Sequence, residues 1–329
     1  MRILTGDRPT GCLHLGHYVG SLQNRVDNQF KNEQFILIAD MQALTDNYDK
    51  PELLIENVYK LLSCYLAVGL EPKKNIFFLQ SMVPQLTELT MYFMNLVSVA
   101  RLSRNPTVKE EIQQKGFTDN LSIGFLNYPV SQAADILLFQ ADMVPVGNDQ
   151  LPMIEQTNEL ARSFNYIYKT NYFKICKALL STNGRLTGID GKNKMSKSLK
   201  NALFLDDSKD ILLENIMKMY TDSGHIKISD PGKIEGNAVF YFLDIFDSNK
   251  NELEDLKLHY QKGGLGDVFL KKRLFAILNE FLTPIRDKYN FYYSNKKMLK
   301  EILFHGTAEA NKIAAINLQN IKEIMKIII

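Results

Sequence analysis

The chain has 329 residues, 45% of them hydrophobic and 23% charged, which is enough to bury a substantial core and to divide into a large and a smaller domain. Its 39 Lys and Arg against 37 Asp and Glu leave a formal net charge of +2, which argues against a protein that coats nucleic acid non-specifically. No apolar run reaches the roughly 18 residues of a membrane helix, no charged-then-apolar leader opens the chain, and Cys12, Cys64 and Cys176 form no CxxC pair. A cytoplasmic protein is therefore expected, with three reduced thiols, no disulfide framework and no protein-bound metal.

In chain order, strand-length apolar runs alternate with longer helical periodicity, the pattern of a parallel sheet with crossover helices. Strands are predicted at 2–6 (RILTG), 34–40 (QFILIAD), 75–81 (NIFFLQS) and 142–147 (DMVPVG). Helices are predicted near 15–30, 51–68, 84–100 and 128–140, the second opened by Pro51. Beyond about residue 204 only helices follow, near 208–220, 237–247, 250–262, 266–290 and 294–327. The local basic clusters there, FLKKRL and SNKKMLKE, read as solvated helix faces. The expected fold class is α/β: a Rossmann-like parallel-sheet domain over 1–204, then an all-helical domain over 205–329 whose last helix can pack back on the first. GIDGKNKMSKSLKN, 188–201, reads as a mobile loop at the junction.

Two stretches carry phosphate chemistry. RPTGCLHLGHYVGSL, 8–22, follows the first strand, and a strand, a glycine-bearing turn and a helix start bring backbone N–H groups up to phosphate. Gly16 allows close approach there, and His14 and His17, three apart, can donate to a polyphosphate as charge accumulates on it. KMSKS, 194–198, sets Lys194 and Lys197 three apart on the loop, with Ser196, Ser198 and no carboxylate between them. Such a loop can close over a triphosphate and neutralise a departing pyrophosphate. Each stretch alone also fits a plain helix start or a solvated basic loop.

A third constellation is YPVSQAADILLF, 128–139, followed by VPVGNDQ, 144–150. Tyr128, Gln132 and Asp135 share one helical face. Asp135 follows two alanines and precedes ILLF, where a carboxylate is costly without a donor. An Asp paired with an Arg or capping a turn would be the structural alternative. An indole offers one N–H and no acceptor, so one buried carboxylate satisfies it, whereas a phenol also accepts and calls for a donor.

HLGH after the first strand together with KMSKS about 180 residues later resembles the paired signatures of class I aminoacyl-tRNA synthetases. With TGDRPTG, YLAVGLEP, YPVSQAADILLF, VPVGNDQ, TDSG and LTPIRDKY, the likeness to the tryptophanyl branch, of bacterial type, spans nearly the whole chain. The resemblance implies a tryptophan–tRNA ligase that uses ATP with Mg²⁺ held by its phosphates, takes L-tryptophan and tRNA(Trp), and works as a homodimer with the helical domain on the anticodon. It implies catalytic roles for His14, His17, Lys194 and Lys197. ATP would meet Arg8, Pro9, Thr10, Gly16, His17, Gly147, Asn148, Asp149, Leu186, Lys194, Met195, Ser196, Lys197 and Ser198, with Lys109 reaching the phosphates from another loop. Tryptophan would meet Leu4, Tyr128, Gln132, Asp135 and Gln150.

This sequence departs from many relatives, which have Gln at Arg8, Asn at His17, Met at Gln132 and often Lys at Cys12. A thiol at position 12, near a helix N-terminus, is expected to be alkylation-sensitive and shielded by ATP. Three other functions stay open: a tyrosyl-specific synthetase, a nucleotidyltransferase acting on a small cofactor precursor, and a non-catalytic tryptophan-sensing or RNA-binding paralogue.

Overall fold

The computed structural model describes residues 1–116, 121–180, 186–197 and 199–328. Five strands, β1 (Arg2–Asp7), β2 (Glu33–Ile38), β3 (Asn75–Leu79), β4 (Met143–Val146) and β5 (Lys177–Leu180), form one sheet in the order β3-β2-β1-β4-β5. Every pairing is parallel, with Ile3 opposite Gln34 on one side and Met143 on the other. The sequence of β2 explains why both faces are covered. Phe35 and Leu37 enter one apolar cluster while Ile36 and Ile38 enter another, the alternation of a strand buried front and back.

The first crossover runs from α1 (Leu15–His17) through a π-helical stretch, Tyr18–Leu22, into α2 (Gln23–Asn28). After β2 come α3 (Asp40–Asn47) and α4 (Glu52–Ala67); after β3 come α5 (Pro84–Met94), α6 (Val99–Ser103), α7 (Pro106–Lys115) and α8 (Ile123–Leu138); α9 (Leu151–Ile167) joins β4 to β5. The remainder is α10 (Lys209–Met217), α11 (Ala238–Phe246), α12 (Lys250–Lys262), α13 (Asp267–Ser294) and α14 (Lys296–Met325). No helix among the described residues is long and apolar enough to cross a membrane.

The helical stretch predicted over 84–100 is two helices, because Ser98 Oγ accepts the Arg101 N–H and starts α6 afresh. Likewise α8 starts earlier than predicted, at a cap in which Ser122 Oγ accepts the Phe125 N–H. The late helices do not stand apart from the sheet. Leu270, Leu274, Leu278 and Leu282 of α13 join the apolar cluster that holds Leu61 and Leu62 of α4. Along α14, a Cβ on Gly306 would lie 2.0 Å from the Phe77 carbonyl oxygen, so only glycine lets the helix backbone press against edge strand β3. Thr307 Oγ1 accepts the Leu79 N–H at 3.2 Å, and α14 thereby covers an edge that would otherwise offer unpaired backbone groups.

The cysteines correct the expectation of three reduced thiols. Cys12, in the loop after β1, is disulfide-bonded to Cys64 on α4, with Cα atoms 6.4 Å apart, while Cys176 is free and buried. The pair is separated by 52 residues, so no local spacing announced it; it exists because α4 packs beside the first loop. A paired Cys12 has no thiol to alkylate, which removes the reactive-thiol expectation at that position.

Candidate functional site

β1 sits at the centre of the sheet, and from its carboxyl end the chain crosses to β2 on one side, while β4 lies on the other. In doubly wound sheets such a reversal marks the crevice outside the carboxyl ends of the strands where ligands bind. The loop after β1 carries Arg8 to His17, the turn after β4 carries Gly147 to Gln150, β5 leads toward the 186–197 segment, and β2 and β3 end at Asp40 and Gln80.

At one end of the crevice the structure brings the histidines and the loop lysines together. The His14 and His17 rings lie 3.8 Å apart, and the His17 ring nitrogen accepts the His14 backbone N–H at 3.3 Å. A Cβ on Gly16 would come within 2.9 Å of His14 Nδ1, so the glycine is what lets the imidazole fold over the helix start. Two backbone bonds, Leu15 N–H to Leu203 O and Leu205 N–H to Leu13 O, both 2.9 Å, strap this turn to the chain just past the lysine loop. Lys197 Nζ donates to Thr10 O at 3.1 Å and Thr10 Oγ1 at 3.3 Å, and Lys194 Nζ lies 3.7 Å from Asp149 Oδ2. The loop thus bridges the turns after β1 and β4. Pro9 beside this contact is buried. Ser198 lies outside the described residues.

Electrostatics sort these groups into two kinds. Burial, then the positive charges of His17, Lys197 and Lys194, push His14 down to about 2. His17 is pushed down to about 4, chiefly by burial, with Asp7 acting in the opposite direction. At neutral pH both imidazoles are neutral hydrogen-bonding groups, and His14 Nδ1 is buried without a hydrogen-bond partner among the described residues. Burial lowers Lys197 to about 8 while Asp7 and Asp206 oppose it, so it remains mostly charged at pH 7. Cationic charge therefore comes from the lysine loop, and oriented neutral donors from the helix start.

Sequence reasoning missed the residues that hold the loop in shape. Asn201 Oδ1 accepts the Ser196 N–H at 2.8 Å, and its Nδ2 donates to Asp190 Oδ2 at 3.0 Å and to Lys194 O at 3.3 Å. A Cβ on Gly188 would fall 2.2 Å from Asn201 Nδ2, so glycine makes room for that amide. Met195 and Leu186 are buried, at 2% and 3% exposure, and the Met195 N–H reaches Leu186 O at 3.5 Å. A polar Asn and Asp within a Lys-rich run read as solvated loop, which is why they gave no signal.

The other end of the crevice holds the second set. Arg8 lies over the Tyr128 ring at 5.9 Å and reaches Glu111 Oε1 at 3.3 Å. Gln150 Nε2 donates to Asp149 Oδ2 at 3.4 Å, and Thr107 Oγ1 donates to Asp149 O at 2.8 Å, which fixes the turn after β4. Gly147 is exposed, as is Asn148, and a Cβ on Gly147 would crowd Asp149 Oδ1 at 2.7 Å. Lys109 sits on α7, with its backbone N–H bonded to Asn105 O at 3.0 Å.

Asp135 is 3% exposed on α8, and Ala133, Ala134 and Leu4 belong to the apolar cluster around it. Gln132 lies half-buried three residues before it. Among the described residues neither an arginine nor a capped turn engages the carboxyl; its partner is Gln80, whose Nε2 lies 3.0 Å from Oδ1 and 2.9 Å from Oδ2. Burial raises Asp135 to about 7, the nearby Asp40 carboxylate adds to the rise, and Gln80 opposes it.

A carboxyl raised from 3.8 to about 7 keeps its proton in the folded protein over a range in which the unfolded chain has released it. Stability is therefore lost as pH climbs between those values and is level above them. Asp135→Asn cannot titrate and should escape this loss, gaining on the order of a few kcal/mol over the wild-type chain at pH 8 compared with pH 4. Urea melts of the ligand-free proteins at both pH values measure the difference; a gap that stays constant with pH would mean that the carboxyl titrates normally.

Comparison with known proteins adds a family. Residues 1–283 match the family described as "tRNA synthetases class I (W and Y)". The chain is 52% identical over 332 residues to the tryptophan–tRNA ligase of Streptococcus mutans, covering 99% of this chain and 98% of that one. It is 51% identical over 330 residues to that of Streptococcus agalactiae serotype V, covering 98% and 97%. Among solved structures it is similar to the tryptophanyl-tRNA synthetase of Campylobacter jejuni complexed with ADP and tryptophan. The TM-score is 0.88 at 34% identity, covering 99% of this chain and 100% of that one.

Proposed function

From the premise that the chain belongs to the class I tRNA synthetases for tryptophan and tyrosine, we propose that it is the enzyme that joins tryptophan to its tRNA. The observation that carries the choice of amino acid is Asp135, a buried carboxyl whose one polar partner among the described residues is a neutral amide. A carboxylate can accept about four hydrogen bonds, so this one retains capacity for the single N–H of an indole. Leu4 and the two alanines give the ring an apolar bed. Tyr128, Gln132 and Gln150 would contact the amino acid, with Arg8 above the Tyr128 ring.

In the first step the tryptophan carboxylate oxygen attacks the α-phosphorus of ATP, and the bond to the bridging oxygen breaks to release pyrophosphate. Lys194 and Lys197 hold the departing phosphates, and neutral His14 and His17 donate to them from the helix start, so catalysis is positioning and charge stabilisation. Arg8, Pro9, Thr10, Gly16, Gly147, Asn148, Asp149, Leu186, Met195 and Ser196 would line the rest of the nucleotide. Magnesium would be carried on the phosphate oxygens of ATP. In the second step the terminal ribose hydroxyl of the tRNA takes the aminoacyl group and AMP leaves. A cytoplasmic homodimer is part of the proposal.

Amino-acid-dependent exchange of pyrophosphate into ATP, run across the standard twenty, tests the assignment. Tryptophan alone should support rapid exchange. Dependence on tyrosine would install the tyrosyl alternative, exchange without any amino acid a nucleotidyltransferase, and no exchange at all a non-catalytic paralogue.

A further inference from the structure

Gln80 is the first residue beyond β3, in the short turn Gln80–Met82, and is 1% exposed. Its amide orientation is settled by both ends. Oε1 accepts the Gln42 backbone N–H at 3.2 Å, so the NH₂ must face Asp135, where it reaches both carboxyl oxygens. The next residue is pinned as well, because Asp40 Oδ1 accepts the Ser81 N–H at 2.9 Å. The carboxyl of Asp135 is thus held by a side chain that is itself clamped between the ends of β2 and β3.

We infer that Gln80 is the positioning residue for the recognition of the indole N–H: it sets the plane of the Asp135 carboxyl so that an oxygen stays directed at the ring nitrogen. This rests on the reading of Asp135 given above. The chemistry favours an amide for the task. An arginine would take both oxygens with a charged fork and compete with a neutral ring N–H, and an apolar residue would leave the carboxyl free to turn. A glutamine donates without supplying charge, so the ligand's N–H remains the group that completes the carboxylate. It follows that Gln80 governs selectivity for a ring that carries an N–H and leaves ATP binding alone, since its hydrogen bonds join the Gln42 N–H to the Asp135 carboxyl.

The test compares L-tryptophan with benzothienylalanine, in which sulfur replaces the ring N–H, by pyrophosphate exchange in the full chain. Gln80→Leu removes both donor and acceptor; Gln80→Glu keeps an acceptor for the Gln42 N–H and exchanges the NH₂ for a carboxyl oxygen that, when ionised, cannot donate to Asp135. Both variants should lower the kcat/KM ratio of tryptophan to the sulfur analogue by about tenfold or more, through the tryptophan KM and with the ATP KM unchanged. Equal losses on both substrates, or an unchanged ratio, would overturn the inference. If thermal melts show that the Leu variant has not folded, the Glu variant decides. Asp135→Ala measured in parallel separates the two readings, because alanine offers the ring N–H no acceptor: if its ratio also stays at the wild-type value, the indole assignment and the role of Gln80 fall together. If Asp135→Ala abolishes the preference while the Gln80 variants keep it, only the role of Gln80 falls.

Discussion

Lys197→Ala is expected to slow adenylate formation by about a hundredfold or more while changing the dissociation constant of tryptophan by less than about twofold. The reason is where the ammonium sits. It bridges to Thr10 O and Thr10 Oγ1 above the helix start that carries His14 and His17, and among the described residues no hydrogen bond ties it to the Asp135 end of the crevice. With both imidazoles neutral, Lys194 and Lys197 would supply positive charge to a departing pyrophosphate. An interaction that strengthens as charge moves onto the leaving group accelerates the chemical step without tightening the ground state. Single-turnover adenylate formation and equilibrium tryptophan binding, measured on the same preparation, separate the two effects. An equal loss in both would make Lys197 a general structural support for the loop.

Asp135→Ala is expected to raise the tryptophan KM by about ten- to a hundredfold and to leave the ATP KM nearly unchanged. Two costs combine. The indole N–H loses its acceptor, and the NH₂ of Gln80, buried and aimed at the missing carboxyl, loses its partner too. The same chemistry gives wild-type tryptophan binding a pH dependence of known sign. The free carboxyl titrates at about 7, and a ring N–H bonds best to its ionised form, so tryptophan affinity should rise as pH increases through that value. Steady-state kinetics between pH 6 and 8.5 on the variant and the wild-type chain check both statements. Tryptophan affinity that survives the substitution would remove Asp135 from the recognition of the ring.

The central strands were legible because each carried a buried apolar run, as Phe35 to Ile38 does. β5 was not, since Lys177–Leu180 is a short edge strand with exposed and half-buried side chains that leave no alternation to read. The HLGH and KMSKS motifs could be named from residue types at short spacing, and the structure places His14, His17, Thr10 and Lys197 together. What could not be read is partnership between distant segments. Cys12 with Cys64, Asn201 with Asp190, and Gln80 with Asp135 are each set by how loops meet at the ends of strands. In the sequence Gln80 is one amide inside an apolar strand-like run, and nothing local distinguishes it from a solvated residue.

All of these expectations converge on the contact between a buried carboxylate and a ring nitrogen. A crystal structure of the chain with L-tryptophan bound should place the indole nitrogen about 3 Å from an Asp135 carboxylate oxygen, with Gln80 still donating to the same carboxyl. An indole whose nitrogen faces another group, with Asp135 bonded to Gln80 alone, would contradict the assignment.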